Sequence, residues 1–214
     1  PEDSSKIVPY IDIRLKGNSI LKSQLIILDI LAHNDWTRPI YFVTGYHNDA
    51  FGLEEYFQLE GLAYRLVPIK SENKNWVDYG RIDTDILYDN IMNKFVWGGA
   101  NDENVYIDYN HNRTLTVVRA RLQYAKLAKK LVEEGEKIKA LEVLDRCMEM
   151  LPFEQVKYDP YVPDLIEAYF AAGNTEKAVK LTNDYCKRNY EHLDYYLKQS
   201  QYIISSVEYE IQSA

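Results

Sequence analysis

His47-Asn48-Asp49 and Glu54-Glu55 set an imidazole and several carboxylates within one loop and the turn that follows. Such a set can move protons if it converges on a pocket. The same letters describe a solvated loop running into a helix N-terminus, where Glu54 and Glu55 meet the positive end of the dipole, and that reading is preferred. His33, His47, His111 and His192 are scattered, and none pairs with a second histidine or a cysteine at a ligand spacing, so no metal site is expected. Asp83, Asp85 and Asp89 alternate with apolar residues near a helix start, with Asp102 and Asp108 downstream. Their spacing does not follow a calcium-binding loop, which leaves helix capping as their role. There is no G-x-S-x-G, no glycine loop able to cradle phosphate and no nucleophile flanked by a base. The sequence therefore predicts no catalytic residue and no cofactor.

Two sets of residues suit binding. Trp36, Arg38, Tyr41, Tyr46 and His47 combine aromatic faces that stack on sugars with a guanidinium that grips phosphate, a set suited to a carbohydrate or a lipid-linked sugar. Tyr41 also falls within the apolar run Ile40-Tyr41-Phe42-Val43, a pattern that favours the core. The second set, Lys129, Glu133, Glu167 and Phe170, lies on helical segments of a repeat whose inner helices face an extended peptide. Its bland alternative is a row of solvated helix positions.

The 214 residues are 46% hydrophobic and 27% charged, enough for one sizeable core or two small ones. A net charge of −8 without any basic block gives nucleic-acid binding little support. Leu25-Ile26-Ile27-Leu28 is the longest purely apolar run and is broken by Asp29, far short of the roughly 20 residues that span a bilayer. The chain opens on Pro1 with no basic, apolar leader, so it reads as a piece of a longer or processed protein. Cys147 and Cys186 match no metal or redox spacing, and buried free thiols are favoured over a disulfide between neighbouring helices. Nineteen tyrosines are an excess that implies half-buried seams or binding faces, the seams being preferred.

The elements that must hold these residues change character near residue 113. Residues 1–112 mix short apolar runs with Gly, Pro, Asn and Asp clusters and read as a small mixed α/β unit. Ile11 and Ile13 alternate with Asp12 and Arg14 as a short strand. Ser19 is placed to cap a helix with Leu21, Leu25, Leu28 and Leu31 in its stripe, ending near Asn34. Pro39 leads into a strand at 40–43. Leu53 to Leu59 suits a short helix, Leu62 to Val67 a third strand, and Ile86, Leu87, Tyr88, Ile91 and Phe95 a helix capped by Asp83 or Thr84.

Residues 113–214 are helical almost throughout. Tyr124, Leu127, Ala128 and Leu131 mark one helix, Gly135 breaks it, and Ile138, Leu141, Leu144, Cys147 and Met148 mark the next, ended by Pro152. Thirty-eight residues later the pattern recurs in degenerate form at Leu165, Tyr169, Gly173 and Ala178, with Thr182 in the place of Leu144. Helix pairs of this length and spacing resemble tetratricopeptide units, and Leu193, Tyr196, Leu197, Ser200, Ile203, Ile204 and Val207 are expected to form a last helix capping the stack. The fold class is α+β, predominantly helical.

Three stretches carry a further resemblance: Asn34-Asp35-Trp36-Thr37-Arg38-Pro39-Ile40-Tyr41-Phe42, the run from Gly52 to Pro68, and Lys94-Phe95-Val96-Trp97-Gly98. Together with Asp83-Thr84-Asp85 and Arg119, they make the chain resemble the C-terminal soluble part of a bacterial multi-pass membrane family that is itself similar to the protein O-mannosyltransferases. The resemblance implies a larger protein whose membrane half passes a sugar from a polyprenyl-phosphate donor to a protein hydroxyl. It implies that this part is extracytoplasmic, periplasmic in a bacterium, and appended after the last membrane helix. Its partners would be its own membrane-embedded domain, with an acceptor protein or a glycan as further candidates. No catalytic residue of that family lies in this chain, which is expected to be an accessory domain and not an enzyme by itself.

Overall fold

The computed structural model describes residues 4–13, 18–43, 50–72, 79–108, 110, 119–156 and 159–206. The fold is α+β and predominantly helical, and the chain divides into two compact units, Pro1–Phe95 with Val117–Ala120 and Val96–Thr116 with Arg121–Ala214. The change of character near residue 113 falls within 111–118, outside the described residues.

The first unit is built on a four-stranded sheet. Helix α1 (Lys22–His33) precedes β1 (Tyr41–Val43). A 3-10 turn at Leu53–Tyr56 then feeds β2 (Phe57–Leu59), followed by β3 (Ala63–Leu66), β4 (Arg81–Ile82), α2 (Thr84–Asp89) and a π-helical turn, Asn90–Lys94. The strand order is β1-β3-β2-β4, antiparallel except for the parallel β2/β4 pair. Alternation decides what each strand buries. Phe42 lies opposite Tyr64, which lies opposite Leu59, and Phe57 lies opposite Leu66, so these side chains share one face of the sheet. The rings of Phe42 and Phe57 meet at 4.7 Å and those of Tyr64 and Tyr79 at 4.7 Å, an aromatic core of tilted pairs. Tyr41, Gln58 and Arg65 align across the other face.

Gly61 sits in the β2–β3 turn at φ +130°, and a Cβ there would lie 2.2 Å from Cζ of Phe95. Only glycine satisfies both the backbone angle and the ring that closes over it. The π-helical turn is tied to the same place: Asn90 Nδ2 donates to the Glu60 carbonyl at 2.9 Å, while Phe95 N donates to the Asn90 carbonyl at 2.9 Å.

Several local expectations are corrected. Residues 11–13 form no strand, and the Asp12 amide is instead taken by the hydroxyl of buried Tyr56 at 3.3 Å. Helix α1 begins at Lys22 and not after a Ser19 cap; Gln24 Oε1 accepts the Leu21 amide at 2.9 Å, satisfying a terminal donor from within the helix. The 53–59 stretch splits into a 3-10 turn and β2, because Phe57 and Leu59 gain a sheet partner in β3 that a helix would forfeit. Asp83 does cap α2, its carboxylate accepting the Ile86 amide at 3.1 Å. Tyr41 is not core: its ring stands half-exposed on the outer face, held by its hydroxyl to Glu60.

The second unit contains α3 (Ala120–Glu133), α4 (Lys137–Met150), α5 (Val162–Ala172), α6 (Thr175–Leu197) and α7 (Gln201–Ser206). Most of the stripe read from sequence is buried: Tyr124, Leu127, Ala128 and Leu131 on α3, Leu144 and Cys147 on α4, Leu165 and Tyr169 on α5 and Ala178 on α6. On α4 the expectation is corrected, since Ile138 is exposed and Leu141 and Met148 are half-buried, while Ala140 and Val143 turn inward. Both helix pairs turn through one device. At φ +85° Gly135 lets its amide reach the Val132 carbonyl and the Glu136 amide the Leu131 carbonyl; at φ +91° Gly173 does the same with Phe170, followed by Asn174 with Tyr169. The last helix departs from expectation. Helix α6 runs unbroken to Leu197, and α7 is a short addition, leaving Tyr190, Tyr195, Leu197 and Tyr202 exposed. Val207 lies outside the described residues.

Cys147 is buried and Cys186 exposed, both as free thiols, which corrects the expectation that both are buried. Burial pushes the Cys147 thiol up from about 9 to about 12. Its contribution to stability is therefore complete below the unfolded thiol value near 9 and declines as pH rises towards 12. Iodoacetamide at pH 8 is expected to add one adduct per native chain, at Cys186, and a second only in denaturant, as read by intact mass. Two adducts on the native chain at equal rates would contradict this burial.

Candidate functional site

The helical unit centres on a residue that the sequence reading passed over. Arg121, at the start of α3, is 1% exposed. It donates to Asp159 Oδ2 at 2.5 Å, to the Val156 carbonyl at 2.6 Å and to the Leu151 carbonyl at 3.0 Å, with its guanidinium 4.5 Å from the centre of the Phe153 ring. The planar fork binds the whole link between α4 and α5, which an ammonium could not do. A signal was present, since Arg121 and Asp159 are separated by the repeat length of thirty-eight.

The same offset brings the inner-face candidates together. Lys129 Nζ donates to Glu167 Oε2 at 2.6 Å, again across thirty-eight residues, and to Asp164 Oδ1 at 3.1 Å. The bridge ties α3 to α5 through side chains thirty-eight residues apart. Burial works to lower the Lys129 pKa, but hydrogen bonds and charge from Glu167 and Asp164 outweigh it, and the net shift is upward. Glu133 lies one turn beyond Lys129 on α3 and bonds Lys130 at 2.9 Å within the helix. Phe170 lies one turn beyond Glu167, 45% exposed. Lys129 and Lys130 thus meet three carboxylates, Glu133, Asp164 and Glu167, beside the Phe170 ring, a set acidic by one charge. Behind it, Asp145 of α4 accepts from the Tyr169 hydroxyl at 3.0 Å and from Lys177 at 2.6 Å, fixing α5 and α6 to α4.

In the first unit the described candidates, Trp36, Arg38 and Tyr41, do not share one groove. Trp36 occupies a tight turn in which Asp35 (φ +43°) and Trp36 (φ +64°) are both left-handed. A bulky side chain there is an outlier. It is held by Thr37 N on the Asn34 carbonyl at 3.3 Å, Thr37 Oγ1 on Asp35 Oδ1 at 2.7 Å and Asn34 Nδ2 on the Arg38 carbonyl at 3.0 Å. The turn projects the indole, 55% exposed, beside an apolar groove of about 260 Å³ lined by Ile11, Ile13, Leu28 and Leu53. Arg38 is exposed. Tyr41 lines a different groove, of about 470 Å³, with Ile27, Ile30 and Val43. Its hydroxyl donates to Glu60 Oε2 at 2.7 Å, and this bond to a carboxylate raises its pKa. Glu60 also accepts from buried Gln58 at 2.8 Å, and it was not among the residues singled out from sequence. Tyr46 and His47 lie outside the described residues.

Of the acid and imidazole candidates, Glu55 pairs with Lys70 at 3.0 Å, Asp89 with Lys94 at 2.5 Å and His33 with Asp29 at 3.3 Å; Asp102 accepts the Asn104 amide at 2.9 Å and Asp108 the Asn110 amide at 2.7 Å. His192 rests its ring 6.4 Å from that of Tyr196, and His111 lies outside the described residues. Among the described residues no three His, Cys, Asp or Glu side chains are grouped to hold a metal ion, and no helix is long and apolar enough to cross a membrane.

The fold defines a two-unit α+β chain, predominantly helical. Residues 1–86 match the family model described as TMEM260-associated domain 2, a match that covers the four strands and ends within α2. The chain matches no curated protein and no solved structure.

Proposed function

We propose that this chain is a non-catalytic accessory domain of a larger membrane protein of the O-mannosyltransferase type. In this reading it lies on the extracytoplasmic side, and its tetratricopeptide-like unit receives an extended segment of an acceptor protein. The match of residues 1–86 supports a membrane-protein context. The observation that carries the binding role is the Lys129 bridge to Asp164 and Glu167, which sets α3 and α5 side by side with Phe170 open to solvent. The surplus of carboxylates favours a peptide bearing lysine or arginine, with an apolar residue against Phe170.

Titration of labelled extended peptides, basic and acidic, into the full chain tests this. Basic peptides should bind, Phe170→Ala should weaken them roughly tenfold, and Glu167→Lys should remove the preference for basic over acidic sequences, with melting temperatures within a few degrees of the parent. Equal binding of both peptide classes, or indifference to Phe170→Ala, would move the site elsewhere.

A second reading rests on the Trp36 turn, whose strained backbone presents an indole to solvent. Aromatic stacking there suits a sugar ring. A mannose-containing glycan array run beside the peptides separates the two: a glycan signal lost in Trp36→Ala with the fold intact would favour it.

A further inference from the structure

We draw no further inference here: the strongest candidate, the apolar groove of about 470 Å³ between strand β1 and the flank of α1, lined by Ile27, Ile30, Tyr41 and Val43, carries nothing because nothing in the structure shows what covers it.

Discussion

Replacing Arg121 with alanine is expected to destabilise the helical unit by about 3–5 kcal/mol, the cost of removing one partner of a buried ion pair. The size follows from what remains behind. Asp159, its side chain 7% exposed, loses its counter-charge, and the carbonyls of Leu151 and Val156 lose the donor that holds the α4–α5 link. Phe153 loses the guanidinium that covers its ring. Lysine in this place restores the charge but not the fork, so Arg121→Lys should recover only part of the loss. The double substitution Arg121→Met with Asp159→Leu should be far milder than Arg121→Ala, because a well-packed apolar pair strands no charge. Urea unfolding followed by helical circular dichroism measures all three. A loss under about 1 kcal/mol for Arg121→Ala would mean that the network contributes little beyond its burial.

The contrast between Arg121 and Lys129 shows what a linear reading can reach. Periodicity gave the helical stripes of the second unit because a helix buries every third or fourth residue regardless of what lies opposite. It also gave the two helix turns at Gly135 and Gly173, since the backbone angle at a helix end is a local property. Arg121 was missed for the converse reason: a charged residue in a helix reads as solvated until the chain thirty to thirty-eight residues on supplies three acceptors, and its one signal in the sequence is the offset to Asp159. In the first unit the limits are of the same kind. The strands at 41–43 and 63–66 were legible from their apolar runs, but the split of 53–59 into a turn and a strand depended on β3 being alongside. Tyr41 looked like core from its neighbours, yet it lies on the sheet face that carries Arg65 and Gln58, and side-chain alternation cannot say which face is covered. Of the candidate sugar set, the described Trp36 and Tyr41 line separate grooves. Of the inner-face set, Lys129 and Glu167 meet, thirty-eight residues apart on α3 and α5.

The second large effect is expected at Gly61. An alanine there must place its Cβ where Cζ of Phe95 stands, at a φ of +130° that side chains rarely adopt. Backbone strain of this kind costs about 1–3 kcal/mol, and overpacking adds a similar amount, so Gly61→Ala should lower the stability of the first unit by about 2–4 kcal/mol. The two parts are separable. Phe95→Leu alone loses ring burial, but in the Gly61→Ala background it also makes room for the new methyl, so the double variant should be more stable than the sum of the single losses by about 1 kcal/mol or more. What the second substitution cannot restore is the backbone term. Because Asn90 bonds the carbonyl of Glu60, and the Glu60 carboxylate holds the Tyr41 hydroxyl, a displaced turn also loosens the outer end of β1. Denaturant midpoints for the four members of the cycle give this result. Additive losses would show that the ring yields freely, and the whole cost would then belong to the backbone angle.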